Sequence, residues 1–223
     1  MKRDDVGKIT IHDDLIVGLG DIWVMKNVDN KRKRRNYSSF HMRLAARLLK
    51  ELRKRKNQAQ LSFTEAIKPS EFDMFVESSL TCGYADPSKQ ENDDMCHPSV
   101  PLKLGFDISR LAGLKLAQSI KQSDEVGQKE ASDFIQLLKM EWNTRVNRFS
   151  RAKLAERSFN RRNPLPDPEN IVKLATYLVN KLQNLELDPA SANMMTFRKV
   201  ATLVQSRLLL YNRRRPGELE ALR

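Results

Sequence analysis

The sequence has few of the residues from which covalent cross-links and metal centres are built. Its 223 residues include two cysteines, Cys82 and Cys96, and three histidines, His12, His41 and His97. Two thiols in a polar loop region are typical of a reduced protein and not of a disulfide framework. A closed zinc site takes four ligands at suitable spacing, and Cys96 with His97 supplies only a fragment of one. We therefore predict no metal site and no cofactor.

Long apolar runs are also missing. No uninterrupted apolar stretch approaches the roughly 20 residues that cross a bilayer. The N-terminus, MKRDDVGKIT, lacks the apolar core of a signal peptide. The single GLG at residues 18–20 is too short for a phosphate-binding loop. We predict an intracellular protein with no membrane partner and no small-molecule substrate.

Positive charge is what the sequence has in excess. It contains 40 Lys and Arg against 28 Asp and Glu, which gives a formal net charge of +12. Such an excess favours polyanionic partners, nucleic acid first and anionic membrane surfaces second. Hydrophobic residues make up 40% of the chain, which is enough to bury a core. The net charge indicates the class of partner, whereas the fold is predicted from the spacing of the apolar residues.

The spacing of apolar residues predicts a mainly α fold. Apolar side chains recur every three or four positions from Ser38 to about Lys56 and in later segments, including two helices near the C-terminal end. In the first of these helices the apolar face is predicted to begin with Phe40. Residues 8–25 differ, because they mix β-branched residues with glycine. They predict a short N-terminal β-hairpin.

A proline-rich segment, NPLPDP at residues 163–168, predicts a domain boundary, because prolines exclude helix and stiffen the connection. The predicted organisation has three parts. They are an N-terminal hairpin or arm at 1–30, a helical DNA-binding core domain at 31–163, and a further domain that starts at 164 and runs to 223.

Two basic helical surfaces are candidates for nucleic-acid binding. Residues 31–56 hold a single acid, Glu51, and residues 145–162 also hold one, Glu156. This density of charge exceeds ordinary solubility needs. The alternative is a solvated helix face, or a surface for acidic protein partners. The candidate residues are Arg43, Arg47, Lys50, Arg53, Lys54, Arg145, Arg148, Arg151, Lys153, Arg157, Arg161 and Arg162. KRKRR at 31–35 is compatible with a nuclear-import signal, so we predict a nuclear location.

A third basic cluster lies in YNRRRPGELEALR, residues 211–223. Arg215 stands directly before Pro216-Gly217, where one helix turns into the next. A guanidinium at this position can donate two hydrogen bonds to one phosphate. The free N–H groups at the N-terminus of the next helix also favour phosphate binding. Arg213 and Arg214 are interpreted as helix-end or DNA-backbone charges.

Several segments resemble the tyrosine recombinases, the phage-integrase family. RPGELEALR after LLLYN resembles the segment that carries the family's first catalytic arginine. HPSVPLKLGFDISRLA, MEWNTRV, NPLPDPENIVKL and YNRRRPGE, in that order, resemble animal proteins related to mobile-element (Crypton-like) recombinases. The resemblance implies a helical core-binding domain of the SAM-like integrase type, followed by the first helices of an incomplete α+β catalytic domain. Arg215 matches the first arginine, and Glu218 matches the acidic residue that follows it.

The resemblance also implies which catalytic residues the chain lacks. In the family a tyrosine attacks the scissile phosphate while a second arginine, a lysine and histidines stabilise the transition state. These positions would lie beyond Leu222. We therefore expect a DNA-binding protein that is catalytically incomplete and not an enzyme as given. Its expected partner is duplex DNA, and self-association on DNA is compatible with this. The alternatives are a scaffold protein with solvated basic helices, or a fragment of a longer active recombinase.

Overall fold

A computed structural model describes residues 4–28, 31–84, 95–160, 167–184 and 193–212, without the side chains of 31–33, 160 and 212. Every regular element in these ranges is helical, which confirms the predicted mainly α class. The chain divides into two compact units, Met1–Arg161 and Arg162–Arg223. Within the described ranges, no helix combines the length and the apolar character that a membrane span requires.

The first unit is built around one long helix. Its helices are α1 (Asp5–His12), α2 (Asp14–Lys26), α3 (Lys31–Lys56), α4 (Phe63–Ala66), α5 (Phe72–Thr81), α6 (Ser99–Lys121), α7 (Glu125–Trp142) and α8 (Arg148–Asn160). A 3₁₀ turn leads into α5, and a five-residue π turn at 143–147 joins α7 to α8. Helix α3 contacts α1, α2, α5 and α6, so the sides of α3 that are left free face solvent.

The core lies where α2, α3, α5, α6 and α7 meet. In α3 the side chains of Leu44, Leu48 and Leu52 are buried, which confirms most of the apolar face predicted for residues 38–56. Two phenylalanines of α5 contact Phe134 of α7 edge to face. Their ring centroids lie 5.0 and 5.6 Å from the ring centroid of Phe134. Such aromatic pairs add about 0.5–1.5 kcal/mol each beyond the burial of their area.

The predicted N-terminal β-hairpin is wrong, because residues 8–25 form parts of α1 and α2. Asp4 and Asp13 each cap one of these helices, accepting a hydrogen bond from the backbone N–H three residues on, at 2.8 and 3.0 Å. Such caps satisfy N–H groups that a helix start leaves free. The β-branched residues indicated strand, but burial of the apolar side of α2 in the common core overrode that propensity.

Gly18 and Gly20 were predicted to form a turn. They lie inside α2 instead, where they allow it to approach neighbouring helices. A Cβ on Gly18 would lie 3.2 Å from the side chain of Leu114 in α6, and a Cβ on Gly20 would lie 2.5 Å from the sulfur of Met42 in α3. Both glycines are inside α2 and have ordinary helical backbone angles. Their contribution is therefore the missing side chain, which lets α2 pack closely on two neighbours.

Two glycines of α6 give a matched pair of expected outcomes. A Cβ on Gly105 would lie 2.3 Å from Nε1 of the buried Trp142, whereas a Cβ on Gly113 would meet no atom of a neighbouring described element within 4 Å. We expect Gly105→Ala to destabilise the protein by about 1–3 kcal/mol through overpacking. Gly113→Ala should stabilise it by up to about 1 kcal/mol, because alanine favours helix. Urea unfolding followed by circular dichroism compares the two, and shifts of the same sign would contradict this packing.

The second unit contains a pair of helices that buries little apolar surface. Helix α9 (Pro168–Gln183) starts at Asp167, whose carboxylate accepts a hydrogen bond from the N–H of Glu169 at 3.1 Å. Helix α10 (Met194–Asn212) contacts it. Leu178 is the buried hydrophobic side chain among the described residues of this unit, while Phe197 is 68% exposed.

Candidate nucleic-acid interface

Three of the predicted contact residues form one exposed line along α3. Arg47, Lys50 and Lys54 are spaced by three and four residues, which places them on one side of a helix. All three are exposed, and none forms an ion pair with another residue in the described ranges. We call Arg47, Lys50 and Lys54 the α3 stripe. Its side chains present positive charge that no carboxylate of the described chain neutralises.

The α3 stripe borders a groove of about 690 Å³ between α3, the turn that follows it and the end of α5. The turn begins at Asn57, which has a positive φ of 51° and so ends the helix in the left-handed conformation that asparagine tolerates. Glu51 is the acidic residue in the lining, and its carboxylate lies 3.4 Å from Nε of Arg55. The groove wall therefore keeps a net positive charge.

Arg43 and Arg53, which were also predicted as contacts, are engaged within the protein. The guanidinium of Arg43 donates to both carboxylate oxygens of Asp4, at 2.8 and 2.6 Å. This pairing holds the pKa of the Asp4 carboxyl well below its usual range. Nε of Arg53 donates to the carbonyl oxygen of Leu61 at 2.8 Å. These two arginines attach α1 and the segment after α3 to the long helix.

The second predicted surface, at the end of α7 and along α8, is also partly occupied by internal pairs. Arg145 donates to the carboxylates of Asp73 and Glu141, the latter at 3.0 Å, and these bonds raise the pKa of its guanidinium. Lys153 lies 3.2 Å from the carboxylate of Glu156. An arginine paired in this way has to give up a partner before it can contact a phosphate.

Arg157 joins α8 to the segment that precedes α6. Its guanidinium donates to the backbone carbonyl oxygens of Cys96 and Met95, at 2.7 and 2.6 Å. Arg148 and Arg151 differ, because they are exposed and form no ion pair with the described residues. Among the described residues of the second surface, Arg148 and Arg151 therefore remain open to an external anion.

Six further predicted residues lie outside the described residues. They are Arg161, Arg162, Arg213, Arg214, Arg215 and Glu218. The roles assigned to them from the sequence stay predictions.

Cys82 lines the groove beside the α3 stripe, and we expect its thiol to be poorly reactive. Burial raises the pKa of this thiol to about 12, and the nearby carboxylate of Glu51 contributes. Because the thiolate is the reactive form, alkylation at pH 8 should be slow. In a Cys96→Ser variant we expect Cys82 to react with iodoacetamide more than about 100-fold more slowly than glutathione does. Mass spectrometry gives the rate, and a rate close to that of glutathione would show that the thiol is open and ionisable.

A second groove, which is lined by aromatic residues beside the first half of α3, was not predicted from the sequence. Phe40, predicted to begin the buried face, is 45% exposed and contributes to this groove together with Tyr37. The available signal was YSSFH at 37–41, which places aromatic rings three and four residues apart on a strongly basic helix. The described residues contain no group of three or more His, Cys, Asp and Glu side chains arranged to hold a metal ion.

Comparison with models of protein families, with curated proteins and with solved structures finds no match to this chain.

Proposed function

We propose that this protein binds nucleic acid, duplex DNA first, through the α3 stripe and with little dependence on base sequence. The observation that carries the proposal is that the three exposed basic residues of the α3 stripe have no acidic partner among the described residues. Arg43, Arg55 and Lys56 of the same helix are paired with carboxylates, at 2.6–2.7 Å. Arg47, Lys50 and Lys54 face solvent with no carboxylate partner in the described ranges.

The dimensions of the stripe suit a nucleic-acid backbone. Seven residues separate Arg47 from Lys54, a rise of about 10 Å along the helix. Successive phosphates of one strand in a duplex advance by about 3.4 Å along its axis, so the stripe spans about three of them. Phosphate contacts position a protein without reading bases, which supports the expected sequence tolerance. Arg148 and Arg151 offer two more free charges.

The motifs quoted above support a relationship to the tyrosine recombinases as part of the same proposal. The family's core-binding domain is helical, as this chain is in the described ranges. The segment NPLPDP lies beside the boundary between the two compact units, at Arg161–Arg162. Incomplete catalysis, a nuclear location and self-association on DNA stay predictions.

A salt series on a duplex tests the proposal. Fluorescence anisotropy of a labelled 20-base-pair duplex should give a plot of log affinity against log salt with a slope of about −2.7 to −4.5, for three to five neutralised phosphates. A duplex of scrambled sequence should bind with nearly the same affinity. Absence of binding at 50 mM salt, or affinity independent of salt, would leave the scaffold alternative as the better description.

A further inference from the structure

The aromatic groove has a volume of about 610 Å³ and is formed by α2, α3 and α6. Its exposed rings are those of Tyr37, Phe40 and Phe106, with 45%, 45% and 68% of each residue exposed. Aromatic residues carry much of the burial energy of cores and interfaces. Three exposed rings that line one concave surface therefore indicate a binding surface.

The floor of the groove is fixed before a ligand arrives. The indole of Trp23 stacks on the imidazole of His41, with centroids 3.9 Å apart and planes within 9°. Nδ1 of His41 lies 2.5 Å from one carboxylate oxygen of the fully buried Asp107, and Arg110 holds the other oxygen at 3.0 Å. A floor held in this way loses little conformational freedom on binding.

Positive charge surrounds the rings. The guanidinium of Arg110 lies 4.7 Å from the ring centroid of Trp23, and Nζ of Lys103 lies 4.9 Å from that of Phe40. The lining residues include no Asp or Glu, and the nearby Asp107 is buried and paired. Flat apolar faces with a cationic rim are the chemistry that holds a base and its phosphate together.

We propose that this groove binds an unpaired nucleobase of single-stranded or locally opened nucleic acid. The base stacks on the exposed rings, and a flanking phosphate contacts the exposed Lys103. The inference deepens the proposed function and rests on it, because the groove and the α3 stripe share one helix side. Phe40, Arg47 and Lys54 recur every seven residues, which is nearly two helical turns, so Arg47 and Lys54 lie about 10 and 21 Å along α3 from Phe40. One nucleic-acid molecule can therefore contact both.

Single alanine substitutions test the groove. Tyr37→Ala, Phe40→Ala and Phe106→Ala remove exposed rings, and Phe159→Ala on α8, where the residue is 91% exposed, is the matched control. Each groove variant should bind the single strand (dT)12 about 5- to 150-fold more weakly. Affinity for a 12-base-pair duplex should change less than twofold, and Phe159→Ala should leave both affinities unchanged.

Tryptophan fluorescence gives a second readout that does not depend on losing a ring. The sequence has two tryptophans, so a Trp142→Phe variant leaves Trp23 as the single reporter. Addition of (dT)12 should quench its emission. Quenching by (dT)12 together with absent duplex binding supports the groove and overturns the proposed duplex function.

Three outcomes overturn the groove proposal. In the first, the duplex binds while all three groove variants retain wild-type affinity for (dT)12, which leaves the proposed function standing. In the second, an acidic peptide that contains phenylalanine quenches Trp23 and (dT)12 does not, which assigns the groove to a protein partner. In the third, neither nucleic acid binds at 50 mM salt, which overturns both proposals.

Discussion

Neutralising the α3 stripe with Arg47→Gln, Lys50→Gln and Lys54→Gln together should weaken duplex binding by about 500-fold at 0.1 M salt relative to the wild-type protein. The magnitude follows from counterion release, because each neutralised phosphate contributes about 0.9 to the slope of log affinity against log salt. Three lost contacts reduce the magnitude of that slope by about 2.7. Lowering the salt concentration from 1 M to 0.1 M therefore raises the affinity of the wild-type protein about 500-fold more than it raises that of the variant. The three side chains are exposed, so the free energy of unfolding should change by less than about 0.5 kcal/mol each.

A matched variant separates the stripe from net charge. Lys121, Lys129 and Lys139 are exposed lysines on α6 and α7, so Lys→Gln at all three removes the same charge elsewhere. Anisotropy titrations of both triple variants at several salt concentrations give the comparison. The control should keep the wild-type slope and lose only a fewfold in affinity through the long-range field. Equal losses in the two variants would mean that overall charge, and not α3, determines binding.

Replacing Asp13 by alanine should lower the free energy of unfolding by about 2–4 kcal/mol. The carboxylate of Asp13 is buried and accepts two hydrogen bonds from different elements. One comes from the N–H of Ile16 at 3.0 Å, and the other comes from the N–H of Phe63 at 2.8 Å. Loss of the cap costs about 1 kcal/mol, and a buried N–H of Phe63 without a partner costs about 1–3 kcal/mol.

Two further substitutions sharpen this expectation. Asp13→Asn keeps one acceptor oxygen and should cost less than Asp13→Ala. Asp124→Ala removes the corresponding cap of α7 at an exposed position, and should cost only about 1 kcal/mol. Urea unfolding of the four proteins gives the comparison. Equal costs for Asp13→Ala and Asp124→Ala would mean that the bond to Phe63 contributes nothing.

The pH dependence of the Asp13 contribution has a definite sign. Burial raises the pKa of this carboxyl above its unfolded value, and the backbone hydrogen bonds oppose the shift without cancelling it. The folded protein therefore binds this proton more tightly than the unfolded chain does. The stability from that linkage is present below the unfolded pKa and is lost as the pH rises through the folded pKa. The advantage of the wild-type protein over Asp13→Ala should consequently be larger near pH 4 than at pH 7.

Local spacing predicted those features that depend on one helix. The apolar positions of residues 38–56 predicted α3, and the same period placed Arg47, Lys50 and Lys54 on its exposed side. Phe40 was assigned to the buried face because its spacing to Leu44 fits that face. Whether a residue near the end of an apolar stripe is buried depends on how far the neighbouring helices extend. The helical period alone gives no information about that.

Features that depend on distant partners could not be predicted in the same way. Arg43 and Arg53 looked equivalent to Arg47, and their partners, Asp4 and the carbonyl of Leu61, follow only from the packing of the chain. The aromatic groove needs residues from three helices, including Arg110. In residues 8–25, β propensity was a weaker determinant than the two aspartate caps and the packing of α2. Charge density identifies a basic surface, whereas tertiary contacts decide which charges remain free.

Protection of individual lysines tests the proposed interface most directly. The wild-type protein is treated with an amine-reactive ester, with and without saturating duplex DNA, and modification is measured at each lysine by mass spectrometry. The predicted result is a severalfold decrease at Lys50 and Lys54, with little change at Lys121, Lys129 and Lys139. Unchanged modification of Lys50 and Lys54 in a fully formed complex would contradict binding through the α3 stripe.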